Sequence, residues 1–284
     1  MLINFLYKSL LPKHTKISQK QILFWFSLSM MFAGGYAMLA LQEAFGSEYV
    51  VQDDARQHVF WMLRFIDPNL FPNDLIADYF QSVAPAGYFN LYRGFALLGI
   101  NPLFLNKLLP SVLGLIASGY CFAFCLQILP LPITGFMATL MFNQNIWMKD
   151  DLISATPRAF TYPLLLGFLY YLSRKSLLPC LAAIVLLGLF YPQYVFICTG
   201  ILVVRLWDWH GIKFRFSQQK HHYIFCILGV GVAFLVMLPY ALKTSEYAPI
   251  ISVAQAKQLP EFLPRGRSSF FKEDLFDYFW RGRS

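Results

Sequence analysis

Asp53 and Asp54 stand side by side in EYVVQDDARQHVFWMLRF, residues 48–65, with Arg56, His58 and Arg64 close behind. Adjacent carboxylates repel, and holding both charged near a low-dielectric boundary costs free energy. Asp53 can act as a helix N-cap, accepting from the amides two and three residues on. That role explains one carboxylate and leaves the second. A carboxylate in this setting can act as a general base, or the pair can hold Mg2+ or Mn2+ through oxygen ligands. Two neighbouring acids do not by themselves make a metal site. A second acidic pair, Asp150 and Asp151, lies in NQNIWMKDDLISATPRAFTYPLLL, flanked by Lys149 and Arg158. Taken alone, that pair is explained well enough by the solvation of a loop.

The surroundings of these residues set the chemistry. The chain has 284 residues, of which 57% are hydrophobic and only 13% charged. A soluble domain carries about a quarter charged residues, and here the apolar residues fall in long unbroken runs. Crossing about 30 Å of hydrocarbon takes roughly 20 apolar residues in a helix, because lipid offers the backbone no hydrogen-bond partner. The runs predict spans at Ile22–Leu41, Leu108–Leu129, Leu131–Trp147, Ala159–Leu172, Leu177–Phe190, Tyr191–Trp207 and Tyr223–Leu242. The interruption Tyr191-Pro192-Gln193 makes the fifth and sixth a hairpin of short helices. The first run is long, with no small-residue cleavage motif after it, and reads as a retained anchor. The expected fold is all-α, a polytopic transmembrane helical bundle with interfacial helices in a long first outer loop. Residues 1–242 form the membrane domain, with about seven spans and an outer loop at 43–107. Residues 243–284 form an outer-loop tail, read as the start of an incomplete region with SSFFKEDLFDYFW as a further surface helix.

Basic residues orient the bundle. Lys8, Lys13, Lys16 and Lys20 precede the first span without an acid, which predicts a cytoplasmic N-terminus in the cell (inner or plasma) membrane. Alternation then puts ten basic residues inside against one acid, Asp208. Both acidic pairs fall outside, where Ser47 and Ser154 should be reachable and Ser217 should not. From Asp54 onward, Val59, Met62, Leu63 and Ile66 recur at helical spacing. That predicts an interfacial helix with Phe60, Trp61 and Phe65 in the headgroup zone. Gly87–Gly99 is too short to cross and reads as a second surface helix. The cysteines, Cys121, Cys125, Cys180, Cys198 and Cys226, all lie in apolar runs and read as packing residues. The net charge of +8 follows from the inner loops and does not point to nucleic acid.

Two acidic pairs and several basic groups above apolar helices suit a substrate with a lipid tail and a charged head. The order and sidedness of the segments resemble the GT-C superfamily of integral-membrane glycosyltransferases. The pieces are VVQDDARQHVFW in the first outer loop, APAGYFNLYRGFALLG as the surface helix opening at Pro85, LNKLLPSVLGLIASGYCFAF as the second span and ATPRAFTYPLLLGFLYYLSRK as the fourth. The resemblance covers about residues 20–245. Two departures are Ala84-Pro85-Ala86, where many relatives begin the surface helix with a His-Pro-Pro-like motif, and a shorter chain than relatives usually have. The resemblance implies transfer of a sugar from a polyprenyl-phosphate donor to an acceptor at the outer face. It implies Asp53 or Asp54 as base or as metal ligand, an alternative that stays open, with Mg2+ or Mn2+ as cofactor only in the second case and none in the first. Asp53 is slightly favoured by its position just before the helix. Arg56, His58, Lys149, Asp150, Asp151 and Arg158 would line the substrate site, and Arg158, Lys149, Arg265 or Arg267 would stabilise the departing phosphate. The partners are then the lipid-linked donor, membrane lipid and an acceptor. Two alternatives remain: a transporter or flippase, disfavoured because span interiors lack Asp, Glu, Lys and Arg, and a non-catalytic assembly subunit.

Overall fold

A computed structural model describes residues 18–210, 213–242, 251–263 and Gly266. Lys8, Lys13, Lys16, Arg265, Arg267 and the segment 268–280 lie outside the described residues. The chain divides into two compact units, Met1–Leu242 and Lys243–Ser284. In the first, the helices are α1 (Gln19–Ala44), α2 (Asp53–His58), α3 (Leu75–Val83), α4 (Ala86–Leu97), α5 (Pro102–Ile128), α6 (Pro132–Ile146), α7 (Asp150–Ile153), α8 (Thr161–Ser173), α9 (Leu177–Phe190), α10 (Gln193–Val204) and α11 (Lys220–Leu242). Short 3-10 turns occupy Phe60–Phe65 and Pro157–Phe160, and an antiparallel hairpin joins β1 (Trp207–His210) to β2 (Lys213–Phe216). The described part of the second unit is one helical turn, α12 (Val253–Ala256), and a 3-10 turn at Pro260–Phe262.

The fold is an all-α helical bundle, as the apolar runs require. Among the described residues, three helices, α1, α5 and α11, are long and apolar enough to cross a membrane. Met31 and Leu39 on α1, with Ile227 and Leu235 on α11, are 64–71% exposed, so these faces need an apolar solvent. The other apolar helices have 12–15 residues. At 1.5 Å per residue they reach about 18–22 Å, less than the hydrocarbon thickness.

Local signals explain the boundaries. Ser18 and Gln21 form a capping box at the start of α1. Asn101 caps α5, with Pro102 filling the first position, where no amide hydrogen bond is lost. Two cores organise the bundle. One joins Ala37 of α1 and Leu105 and Leu109 of α5 to Trp61, Met62, Tyr88 and Tyr92 of the 43–107 segment and Leu152 of the loop after α6. The other joins α8 to α11 through residues such as Phe168, Ile184, Leu202 and Phe225. Cys180, Cys198 and Cys226 are buried in that second core, and all five cysteines are free thiols.

Several expectations need correction. The helix expected from Asp54 through Ile66 stops at His58, and a 3-10 turn follows. Trp61 is fully buried, stacked on Phe89 with ring centres 5.9 Å apart. The segment 43–107 thus encloses a core of its own, and its largest aromatic side chain finds a protein wall where a headgroup zone was expected. The span expected to reach Trp207 ends at Val204, because WDWH and KFRF alternate polar and apolar residues with the period of a strand. Ser154 and Ser217 are buried at 0% and 3% exposure, so neither is a reachable surface position.

Candidate functional site

The N-terminus of α2 is capped by Gln52, whose Oε1 accepts from the Ala55 amide at 3.2 Å. This corrects the expectation of a cap at Asp53. Asp53 and Asp54 instead fill the first turn, and both are exposed. There they face the partial positive charge of the helix end, worth roughly 0.3–1 kcal/mol each. Successive helical residues point about 100° apart, so the two carboxylates diverge. Asp54 shares a face with His58 one turn on, and its charge acts on that ring. The slight preference for Asp53 rested on its standing before the helix, and that premise does not hold.

His58 is half-buried, edge-on to Phe80 with ring centres 4.9 Å apart. Burial lowers its pKa, Asp54 opposing, so the imidazole is neutral at pH 7. Beside it opens a cavity of about 320 Å³, walled by His58, Phe80, Pro85, Tyr88, Tyr191 and Tyr240, with Pro157 and Gln193 at its edge. That volume lies at the lower end for small-molecule sites. Five stretches distant in sequence meet there: α2, the α3–α4 junction, the Pro157 turn, the α9–α10 break and the end of α11. Among the described residues the buried Tyr240 hydroxyl has no partner of good hydrogen-bond geometry, although the Ala86 backbone lies close enough to act on it. The cavity wall is uncharged and mostly apolar, with His58, Tyr88, Tyr191, Gln193 and Tyr240 as its polar groups, and Asp54 lies one helical turn before His58.

Hydrogen bonds lock the second acidic loop to this wall. Tyr88 Oη donates to the Ala155 carbonyl at 3.2 Å. Asn106 Nδ2 donates to the Ser154 carbonyl at 2.9 Å and to Tyr92 Oη at 3.2 Å. Ala155 itself sits in the left-handed region at φ 47, a conformation that costs an alanine on the order of 1 kcal/mol or more. Burial pushes the Tyr88 hydroxyl well above its ordinary pKa and Tyr92 up to about 12, so both stay protonated. At Gly87 the start of α4 closes on the end of α9. An added Cβ would stand 2.8 Å from Leu189 Cβ and 2.9 Å from its carbonyl oxygen.

The remaining candidates separate. Arg158 Nη1 pairs with Asp151 Oδ1 at 2.9 Å, and Tyr162 Oη donates to Asp151 Oδ2 at 3.1 Å. Much of the Arg158 charge is therefore already answered, although the side chain is 57% exposed. Arg56 Nε donates to the Val51 carbonyl. Lys149 and Asp150 are exposed, with side chains that make no ion pair or hydrogen bond among the described residues. Arg64, by contrast, is fully used in pairing with Asp78 at 2.7 Å and holding the carbonyls of Leu70 and Phe71. No group of three or more His, Cys, Asp or Glu suited to a metal occurs among the described residues. Asp53 and Asp54 offer at most two carboxylates, a number that suits Mg2+ only where substrate phosphate oxygens complete the shell.

The sequence reading missed Tyr88, Tyr191, Gln193 and Tyr240 as cavity walls. The Tyr191-Pro192-Gln193 interruption was a usable signal, since a helix break beside apolar spans marks backbone free to line a site. The chain matches no family model, no curated protein and no solved structure.

Proposed function

We propose that the chain takes part in transferring a sugar from a polyprenyl-phosphate-linked donor to an acceptor hydroxyl at the outer face of the cell membrane. The observation that carries this reading is the cavity beside Asp54 and His58, enclosed by the first outer loop and the ends of apolar helices. It offers uncharged hydrogen-bonding aromatics for a sugar, and the Asp54 carboxylate stands one helical turn before its lining residue His58. In this reading Asp54 removes the acceptor proton as the acceptor oxygen bonds to the anomeric carbon. The anomeric C–O bond breaks, and polyprenyl phosphate departs with the bonding electrons. A positioned base supplies on the order of 10² to 10⁴ in rate. Lys149, uncommitted in the structure, is the better partner for the departing phosphate, and Arg158 orients through Asp151. Mg2+ or Mn2+, if used, would rest on Asp53 or Asp54 together with phosphate oxygens, and would neutralise phosphate charge.

The transport alternative gains no support from the buried amide of α6, which is fully satisfied within the bundle. Asn143 accepts from Trp147 Nε1 and donates to Ser118 Oγ and the Thr139 carbonyl. The test is conversion of a radiolabelled polyprenyl-phosphate sugar by membranes holding the protein, against membranes lacking it. Label appearing in a new membrane acceptor supports transfer. Label that only changes leaflet, with the donor intact, supports a flippase instead.

A further inference from the structure

Opposite the acidic loops, the bundle ends in a basic cluster that the transfer chemistry does not use. α8, α9, α10 and α11 all turn at this end, where Arg174, Lys175, Arg205 and Lys220 stand. Asp208 is the single acid between Arg174 and Lys220, and the hairpin sets it opposite Arg215 in register. Arg205 is half-buried. Its Nη1 donates to the Leu172 carbonyl at 3.5 Å, a long bond, and its Nη2 lies 3.3 Å from His222 Nε2. No carboxylate lies within 4.0 Å of it among the described residues.

A guanidinium drawn partly out of water without a counter-ion is costly. The carbonyl ends of α8 and α10 answer a fraction of that charge, but several full positive charges remain. His222 Nδ1 is 2.9 Å from Ser217 Oγ, which leaves its Nε2 to accept from Arg205. Next to it, His221 Nε2 is buried and has no hydrogen-bond partner among the described residues. Lys175 and Arg205 both lie near enough to His221 to act on its charge. The cluster thus has an unanswered arginine, an orphaned ring nitrogen and flanking lysines.

The hairpin beside it carries an apolar pair. Trp207 and Phe216 stack across the strands, ring centres 5.8 Å apart, and are 37% and 67% exposed. Exposed aromatics next to Lys and Arg at the ends of apolar helices match the chemistry of a headgroup zone, which favours a lipid over a soluble ion.

We propose that this end of the bundle binds the phosphate of an anionic phospholipid, with Arg205 as the central donor and Lys175, Lys220 and His221 around it. Basic pockets between helix ends recognise such headgroups through this chemistry, while Trp207 and Phe216 rest against the upper acyl region.

The experiment is thermal unfolding of the full chain in micelles doped with phosphatidylglycerol, with phosphatidylcholine, or with millimolar inorganic phosphate instead. Phosphatidylglycerol should raise Tm by at least about 3 °C, and the other two should leave it unchanged. Arg205→Gln should abolish the shift. Because that change touches a half-buried residue, Lys175→Gln with Lys220→Gln, both at exposed positions, gives a second measure and should at least halve the shift. An equal shift with phosphatidylcholine, or one that survives these substitutions, overturns the proposal. A shift produced by inorganic phosphate overturns the lipid source and assigns the cluster to a soluble anion.

Discussion

Asn106 is the strongest point at which to challenge the architecture of the site. It is 4% exposed, and through Nδ2 it holds both the Ser154 carbonyl and the Tyr92 hydroxyl. Asn106→Leu keeps the size and removes the donor. A buried acceptor left unsatisfied costs about 1–3 kcal/mol, and two acceptors lose their partner here. The expected loss is about 2–4 kcal/mol, tempered by the apolar gain of leucine, or about 4–16 °C in Tm at roughly 2–4 °C per kcal/mol. Tyr92→Phe in the parent should cost about 1 kcal/mol, since it leaves one Asn106 donor proton without a partner. In the Asn106→Leu background the same change removes a hydroxyl that has already lost its donor, and it should be neutral or stabilising. The double-mutant cycle therefore predicts a coupling of about 1 kcal/mol or more. Thermal unfolding followed by fluorescence suits the measurement, because Trp61 and Trp147 both report on this core. An equal cost for Tyr92→Phe in both backgrounds would refute the coupling between α4, α5 and the second acidic loop.

Three further outcomes are expected. Single cysteines at Ser47 and Met148, both exposed, should react with an impermeant thiol reagent in intact cells, and one at exposed Gln218 should not; the reverse pattern would invert the assigned orientation. His58 has a folded pKa below its unfolded value of about 6.5, so the unfolded chain binds the extra proton. Its contribution to stability is complete above about pH 6.5 and is lost as pH falls towards the folded pKa. His58→Gln should flatten Tm against pH in that range, and an unchanged slope would exclude burial of the neutral ring. Gly87→Ala should lower Tm, because a Cβ 2.8 Å from Leu189 forces α4 away from α9 at an overpacking cost of about 1–3 kcal/mol against a helix-propensity gain of at most about 1 kcal/mol; a raised Tm would show that the two helices have room to part.

Much of the helical layout was legible because hydrophobic runs and their breaks are local. Leu177–Phe190 emerges with the predicted bounds, and the Tyr-Pro-Gln break does separate two short helices. The folding of residues 43–107 was not legible. A run with Val59, Met62 and Ile66 at helical spacing looks the same whether its apolar face meets lipid or the aromatic rings of a distant helix. Only the closed structure shows Trp61 against Phe89. The hairpin at 207–216 escaped because four-residue strands are too short to outweigh neighbouring apolar runs. At the candidate site, the acidic pairs were visible as residue types. Which carboxylate meets His58 depended on where α2 begins, and Gln52 decided that by taking the cap. The cavity's three tyrosines, Tyr88, Tyr191 and Tyr240, come from three separate segments, and no local pattern connects them.

The central claim is that Asp54, one helical turn before the cavity residue His58, acts as the base in sugar transfer. Its most direct test is the rate of transfer from polyprenyl-phosphate sugar by Asp54→Asn and Asp53→Asn, each compared with the parent at equal expression and Tm. Asparagine keeps the shape and remains acceptable near a helix start, but it is not a useful base. The account predicts that Asp54→Asn loses at least about 100-fold in rate, while Asp53→Asn loses less because its side chain points about 100° away from that of Asp54. Near-parent rates in both variants would contradict the account and leave the pair as charges that stabilise the first turn of α2.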